Sequence, residues 1–398
     1  MKQSPFRLLC ATGLFAIFSS TLSKSPVLPL FAAHLGADPS GVGFVAAVSA
    51  FTGVVFSIPS GLLSDRLGRR RMLIFSSCIF AIAPFLYLRV TNIAQLAAVR
   101  FFHGFATAVF IPVAMALVSE LFHKERGEKM GLFSTSTLLG RFMAPIIGGG
   151  IIGALAFNPG QGYMVVYMVC GAAGIVTLLL SLFIPKSERS FHRNRPWTDT
   201  MKTFKAVLAD RTILITCAVE AAILFAYGTF ETFLPLYSLG IGISPYEVGV
   251  FLSAQVITLA LTKPVMGRFS DRHGRRPQIF AGALIGAACI GSFAFFNSFV
   301  PLLILSIAFG MSLSIVTSAT SAYIADLSST EARGSAMGLL GSIMDIGHTT
   351  GPLFSGVVAA HFGYAKAFIG GSLVLMVFAI IFLVSIGIRA EGKGMDNV

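Results

Sequence analysis

Long apolar runs alternate with short polar segments along the whole chain. A helix that crosses a bilayer core needs about 20 mostly apolar residues, and runs of that length recur about twelve times. The first run follows Lys2 and Arg7, as a signal peptide would, but it is longer than a signal core, so we expect a retained first helix. The pattern predicts helices near residues 8–34, 40–63, 72–90, 94–119, 131–156, 163–184, 211–239, 246–266, 278–297, 300–324, 334–360 and 364–388.

Composition supports an all-α membrane protein, since 55% of the residues are apolar and only 12% are charged. The net charge of +12 lies in short clusters between apolar runs rather than on one soluble face. The lipid bilayer is therefore the expected partner, and no nucleic acid is. The five cysteines lie in apolar runs without metal-ligand or redox spacing, so we expect no metal, no disulfide and no cofactor.

Basic residues predict the orientation. Of the 29 Lys and Arg residues, 23 fall at the two termini or after helices two, four, six, eight and ten. Under the positive-inside rule both termini are then cytoplasmic, in a multi-pass protein of the cell inner membrane. The polar stretch 185–210 is a predicted cytoplasmic linker, with room for a short amphipathic helix on the membrane, between helical bundles at 1–184 and 211–398.

The two halves are copies of each other. Six residues of "GLLSDRLGRRR" recur 206 positions later in "GRFSDRHGRR". Two copies of a six-helix unit are typical of transporters, with the substrate site expected between them near mid-membrane. The matched residues are Gly61, Asp65, Arg66, Gly68, Arg69 and Arg70 with Gly267, Asp271, Arg272, Gly274, Arg275 and Arg276; Glu120 with Asp326; and, at a shift of 207, Pro145 with Pro352.

The repeated charged segment has two interpretations. Arg offers a planar fork of donors to a carboxylate, and glycine lets backbones approach closely. We therefore predict a conformational latch in each copy that holds the halves together when the protein faces outward. The latch acids are Asp65 and Glu120 in the first copy and Asp271 and Asp326 in the second. Alternatively, these segments only fix topology through positive charge.

Ionisable residues inside spans are the candidates for substrate or proton binding. Glu220 and Glu231 lie eleven residues apart on helix seven, which places them within about 20° of one face, with Tyr227 between them. Such a face can line an aqueous cavity in which a carboxylate takes a proton. The alternative is a buried ion pair, with Lys24 of helix one as the expected partner of Glu231.

Helices four, five and eleven carry further candidates. Arg100 and His103 share a face of helix four, where His103 alone would more often be a packing residue. Arg141 and His348 are equivalent positions in the two copies, and Asp345 precedes His348 by one turn. That His–Asp pair could relay protons or form a buried polar contact. Bending and close helix contact are predicted at Gly140, Pro145, Gly149, Gly351 and Pro352.

Several of these segments resemble the major facilitator superfamily, and within it the twelve-helix drug:proton antiporter branch. The repeated loop resembles the superfamily's G-x-x-x-D-R-x-G-R-R signature, and "PVLP" (26–29) resembles the branch's first-helix motif. "RFFHGFATA" (100–108) and "GRFMAPIIGG" (140–149) resemble its fourth- and fifth-helix motifs, with Ala144 where Gly is usual. The resemblance implies two pseudo-symmetric six-helix bundles and a coupling role for Arg100, whose positive charge would favour proton release from a neighbouring acid.

The expected function is secondary active transport by alternating access, exporting a small organic compound in exchange for protons, with a monomeric protein. The rival is proton-coupled uptake of a metabolite. The helix-one acid common in the branch is absent and Lys24 stands alone in span 8–34, which leaves sugars, anions and other metabolites open as substrates. A membrane enzyme or sensor is disfavoured, because no metal, nucleophile or nucleotide motif and no signalling domain is present.

Overall fold

The computed structural model describes residues 3–122, 125–185, 209–329 and 332–395. Within these ranges the regular structure is helical. The chain divides into two compact units, Met1–Arg193 with Glu231–Val256 and Asn194–Phe230 with Ile257–Val398. The helices are α1a (Gln3–Leu22), α1b (Val27–His34), α2 (Pro39–Leu67), α3 (Arg69–Tyr87), α4 (Ile93–Leu121), α5 (Arg126–Ala154), α6 (Pro159–Leu182), α7 (Arg211–Gly240), α8 (Pro245–His273), α9 (Arg275–Ser292), α10 (Phe299–Leu327), α11 (Arg333–Phe362) and α12 (Tyr364–Met395).

The predicted apolar runs correspond to these helices. Among the described residues, eleven helical stretches are long and apolar enough to cross a membrane. The exception is α11, which has 30 residues but carries Asp345, His348 and two threonines in its middle. Linker 185–210 lies almost entirely outside the described residues, as does any amphipathic helix in it. The division into bundles 1–184 and 211–398 therefore stays a prediction.

The first predicted span is wrong as a single helix. It is broken between Leu22 and Val27, in the segment that contains Lys24 and the first residue of "PVLP". Pro26 lacks a backbone N–H and disfavours helical geometry at the residue before it, so the regular hydrogen bonding of α1a stops there. The backbone N–H groups of Lys24 and Ser25 both donate to the carbonyl oxygen of Thr21. The break leaves the Lys24 side chain at the end of one helix and before the start of the next.

The repeated charged segment forms two helix ends rather than a loop. Helix α2 runs on to Leu67 and α3 begins at Arg69, so Gly68 is the whole connection. Gly68 has a φ of 93° and its counterpart Gly274 a φ of 91°, a region that favours glycine because it has no Cβ atom. The predicted spans 40–63 and 72–90 stop short of these helix ends, because charged residues lower the hydropathy without ending a helix.

In the first unit, α1a packs against α5 and α6, α2 against α4, and α3 against α4 and α6. Its apolar core includes Phe80, Phe110 and Phe133. In the second unit, α9 packs against α10 and α12, and α11 against α12. A smaller core there includes Cys217, Ile324 and Leu340.

Glycines allow several close helix contacts, and one of these contacts recurs in both copies. A Cβ atom at Gly140 of α5 would lie 2.5 Å from the carbonyl oxygen of Leu14 on α1a. A Cβ atom at Gly347 of α11 would overlap the carbonyl oxygen of Ala221 on α7. Gly140 and Gly347 lie 207 residues apart and are equivalent in the repeat, so the same close contact between two helix backbones occurs in both copies.

The other predicted contact residues also lie at close approaches. Gly149 faces the backbone of Pro245 within the first unit, and Gly351 faces the backbone of Phe225 within the second. Pro145 and Pro352 lie inside α5 and α11, respectively. The predicted close contacts are thus present, and the predicted bending at the prolines stays a prediction.

Candidate functional site

An ion pair joins the broken first helix to α7 within the first unit. The Nζ atom of Lys24 lies 2.7 Å from Oε2 of Glu231. The side chain of Glu231 is 9% exposed and that of Lys24 is 22% exposed, so solvent screens the pair only weakly. This is the partner that the ion-pair interpretation of Glu231 expects, and the helix break is what presents Lys24 to it.

Arg100 lies beside this pair as a second buried cation. The residue is 3% exposed, and its Nη1 donates to the hydroxyls of Ser23 and Tyr87, each at 3.3 Å. Both of these partners are neutral. Its Nε is buried with no hydrogen-bond partner in the part of the chain that the structure describes. Arg100 is thus held in place by hydroxyls, with donor capacity left over.

The predicted polar face of α4 is present and buried. His103 is 1% exposed, with Nδ1 at 3.5 Å from the Tyr87 hydroxyl and Nε2 lacking a partner among the described residues. One turn further on, the Thr107 hydroxyl hydrogen-bonds Ser20 at 2.9 Å. The Tyr87 ring stacks on Tyr167 with centroids 4.2 Å apart. A connected polar cluster therefore follows α4 against α1a, α3 and α6.

Positive charge exceeds negative charge around Lys24. Arg100 and Arg141 both lie close enough to repel its ammonium group, while Glu231 attracts it. Arg141 lies on α5 and is exposed. Among the residues that the structure describes, Arg100, Arg141 and Glu231 thus all lie near Lys24, and we call these four residues the cationic cluster.

Lys24 and Arg100 have uncharged equivalents in the second copy, whereas Arg141 corresponds to His348 at a shift of 207. Lys24 corresponds to Phe230, Arg100 to Ser306, Tyr87 to Phe293 and His103 to Phe309, all at a shift of 206. The three phenylalanines form an aromatic cluster in the second unit. The Phe230 ring centroid lies 5.4 Å from that of Phe293 and 5.3 Å from that of Phe309. The same place in the repeated fold is ionic in one unit and aromatic in the other.

Glu220 occupies a separate, fully buried position in the second unit. Its Oε2 accepts a hydrogen bond of 2.5 Å from the Thr320 hydroxyl, and Oε1 has no partner among the described residues. Lys263 is near enough to stabilise a negative charge on this carboxyl. Helix seven therefore presents its two acids to different partners.

The remaining pathway candidates meet on α7 and α11 in the second unit. The rings of Tyr227 and His348 stack with centroids 5.3 Å apart. Gly228 makes this approach possible, because a Cβ atom there would lie 2.8 Å from Pro352. Asp345 lies one turn before His348 on the same helix. A proton relay through Asp345 and His348 stays a prediction.

The first charged segment forms an ion pair inside its own unit. The Nε atom of Arg69 lies 2.9 Å from Oε1 of Glu120, and both side chains are mostly buried. The Nη1 atom of Arg69 also donates to the Gly61 carbonyl at 3.3 Å and to the Ser64 hydroxyl. The side chain of Asp65 lies outside what the structure describes.

Its repeat makes the equivalent pair in the second unit. The Nε atom of Arg275 lies 3.1 Å from Oδ2 of Asp326, and Nη1 pairs with Asp271. Here the side chains of Asp271 and Asp326 are 60% and 58% exposed. The structure therefore places Arg69 beside Glu120 and Arg275 beside Asp271 and Asp326, and the conformational latch itself stays a prediction.

The other arginines of the two segments act separately. Arg70 Nη2 donates to the Leu182 carbonyl at 2.6 Å, which ties α3 to the end of α6. Arg276 Nε donates to the Tyr323 hydroxyl at 2.8 Å. Arg66 and Arg272 are exposed, as positive-inside residues can be. A Cβ atom at Gly61 or Gly267 would meet nothing within 4 Å, so neither glycine is needed for local packing.

Sequence reasoning missed several neutral members of these sites. Tyr87 and Ser23 hold Arg100, Tyr167 stacks on Tyr87, and Thr320 holds Glu220. Two of them depart from the internal repeat, since Tyr87 aligns with Phe293 and Thr320 with Ala114. Aligning the two copies and marking each polar residue that aligns with an apolar one would have found Tyr87 and Thr320.

Fold and site together define a class of protein. Two copies of a multi-helix unit, apolar enough to span a membrane and with charged clusters buried in the spans, are the features of a multi-pass membrane transporter. The family profile of the Major Facilitator Superfamily matches residues 8–254 and 217–396. The chain belongs to the major facilitator superfamily, which also confirms that it is a transporter and not an enzyme.

Relatives match over nearly the whole chain. An uncharacterized MFS-type transporter of Methanocaldococcus jannaschii is 26% identical, covering 90% of this chain and 92% of the relative. Multidrug resistance protein MdtG of Enterobacter lignolyticus is 25% identical, with 92% and 89% covered. The multi-drug resistance efflux pump PmrA of Streptococcus pneumoniae is 24% identical, with 91% of each covered. These similarities confirm the resemblance to drug-exporting transporters.

Solved structures support the same fold. The nucleoside transporter NupG superposes with a TM-score of 0.79 at 16% identity, covering 96% of this chain and 98% of that one. A bacterial homolog to the human lysosomal transporter Spinster, inward-facing and unoccupied, gives 0.80 at 15% identity, covering 96% and 95%. The predicted fold class, two pseudo-symmetric helical bundles of the major facilitator type, is confirmed.

Proposed function

We propose that the chain is a secondary active transporter that exports a small organic compound in exchange for protons by alternating access. Export is supported by the similarity, over about nine-tenths of the chain, to relatives named multidrug resistance protein and efflux pump. Proton coupling is supported by one observation above all, the buried ion pair between Lys24 and Glu231. The proton is the coupling ion of the proposal, which requires no cofactor.

The ion pair gives a carboxylate two alternative partners. When Glu231 is ionised it binds Lys24 at 2.7 Å; when it takes up a proton, the attraction to Lys24 is lost. Glu220 offers a second carboxyl that is fully buried and held by Thr320. A group that alternates between a proton and a fixed partner can link proton release to a change of conformation.

The proposal also includes the membrane setting. The 23 basic residues on one side of the spans support an inner-membrane protein with both termini cytoplasmic. The repeated arginine–acid pairs, Arg69 with Glu120 and Arg275 with Asp326, would then lie at the cytoplasmic helix ends, where a latch between conformations would act. We propose that the transporter works as a monomer, since each chain contains both copies of the repeat.

Proton-coupled uptake of a metabolite is the second candidate. It is favoured by Lys24, which stands in the first helix where the drug:proton branch commonly carries an acid. A cation there disfavours the positively charged drugs that many exporters of that branch carry.

The experiment is counterflow in proteoliposomes against a panel of labelled compounds, with an imposed pH gradient of either direction. In export by proton exchange the compound moves against the proton flux, so it should accumulate in the more acidic compartment. In uptake by symport it moves with the protons and should accumulate in the more alkaline compartment. Glu231→Gln and Glu220→Gln should each be tested, with Glu128→Gln as the control because Glu128 is an exposed acid of α5. Flux that ignores the pH gradient would exclude proton coupling, and no flux with any compound of the panel would contradict the proposed export.

A further inference from the structure

The cationic cluster has a charge imbalance that its own side chains do not remove. Lys24 is paired with Glu231, whereas Arg100 is 3% exposed and is held only by two neutral hydroxyls. Within the described residues, Arg100 has no carboxylate at ion-pair distance. A buried guanidinium without a counter-ion is unfavourable, because its lost hydration is only partly replaced.

The fold does not require this charge. At the equivalent positions of the second unit, Phe230, Phe293 and Phe309 pack ring against ring, and Ser306 replaces Arg100. The repeated unit therefore also forms with aromatic side chains at the positions of Lys24, Tyr87 and His103 and with a neutral serine at the position of Arg100. A costly charge that the architecture can do without is best explained by a ligand that compensates it.

The donors of Arg100 show what kind of group fits. Its Nε is buried and lacks a partner among the described residues, and the planar guanidinium suits the two oxygens of a carboxylate. Lys24 and Arg141 add positive charge nearby. A cationic compound would meet net repulsion here, whereas one negative charge would reduce the excess.

We propose that Arg100 and Lys24 bind the negatively charged group of the transported compound, so that the substrate class is small organic anions, carboxylates above all. This inference rests on the proposed function and specifies its substrate. The anionic group takes the free donor of Arg100 and shares Lys24 with Glu231. Tyr87 and Ser23 hold the guanidinium in position for it.

The first test compares charge states on one skeleton. Benzoate, benzamide and benzylamine are offered in counterflow, together with the cyclohexyl and naphthyl equivalents, and inorganic phosphate and chloride form a separate arm. We expect the carboxylates to be favoured at least tenfold over the matched amides and amines. Transport of amides or amines at equal rates would leave the proposed function standing and overturn the anion site. Transport of inorganic anions alone would overturn the organic substrate of both proposals. No transport of any compound would overturn both.

The second test uses variants of the site with a matched control. Arg100→Gln should weaken carboxylate binding by about tenfold to a hundredfold, the range for loss of a hydrogen bond between charged groups, and Arg100→Lys should keep most of it. Arg89→Gln, which removes an exposed arginine just beyond α3, should change nothing. Binding is measured as thermal stabilisation of the purified protein by the carboxylate.

A further variant guards against misfolding of Arg100→Gln. The double change Lys24→Met with Glu231→Gln removes both charges of the ion pair at once, so neither member of the pair is left without the other. It should keep the thermal stability of the free protein and weaken carboxylate binding at least fivefold. Unchanged selectivity for carboxylates in this variant and in Arg100→Gln would exclude the cationic cluster as the anion site.

Discussion

The ion pair between Lys24 and Glu231 makes a quantitative prediction about stability. Glu231→Gln keeps the shape of the side chain and removes its charge, which leaves the Lys24 ammonium next to Arg100 and Arg141 without its carboxylate. Two opposite charges about 4 Å apart interact by about 4 kcal/mol at an effective dielectric constant of about 20. Removing one partner of a buried pair costs about 3–5 kcal/mol.

Because both side chains of the pair are partly exposed, we expect the loss of stability to lie at the lower end of the range of about 3–5 kcal/mol. Lys24 is 22% exposed and can recover some hydration, so we expect Glu231→Gln to lower the free energy of unfolding by about 3 kcal/mol. Lys24→Met should cost less, about 1–2 kcal/mol, because Arg100 and Arg141 leave positive charge near this position when the Lys24 ammonium is removed. The double variant should lie within about 1 kcal/mol of the parent protein, since the Lys24 position is occupied by Phe230 in the other copy.

The measurement is a double-mutant cycle in mixed micelles, with unfolding followed by titration with SDS. The expected coupling energy is about 4–5 kcal/mol, the amount by which the two single losses together exceed the loss of the double variant, and it lies well above the additivity error of about 0.5 kcal/mol. Equal losses for Glu231→Gln and Lys24→Met would contradict the excess of positive charge in the cationic cluster. Single-variant losses that simply add would show that the 2.7 Å contact does not stabilise the protein.

Three further predictions concern packing and the repeated charged segments. Gly347→Ala should strongly destabilise the protein in a thermal-shift assay because its methyl group would overlap the Ala221 carbonyl, whereas Gly341→Ala on the same helix, with nothing within 4 Å, should be neutral or slightly stabilising. Glu120→Gln should lower stability by about 1–3 kcal/mol and Asp326→Asn by under 1 kcal/mol, because the latter pair is far more exposed; the reverse order in SDS unfolding would refute this. Arg275→Gln should cost more than Asp326→Asn in the same unfolding assay, since it breaks contacts with two acids at once.

The sequence by itself determined the helices, the duplication and the pairing of charged segments. Hydropathy identifies spans because lipid excludes polar backbone unless it is helical. The shift of 206 residues identified which glycine, arginine and acid of one copy matches which of the other, and the contacts of Arg69 and Arg275 follow that match. Even the partner of Glu231 was available, as one of two interpretations.

Only the tertiary structure decided which charges are compensated. Arg100 and Glu220 look alike in sequence, each as an ionisable residue within an apolar span. Their surroundings differ because helices far apart in the chain bring different side chains to them, two hydroxyls to Arg100 and one hydroxyl with a nearby lysine to Glu220. Hydropathy shows that a residue is charged but not which residues surround it. Only the packed helices therefore show the excess of positive charge around Lys24 and the aromatic cluster at the equivalent place in the second copy.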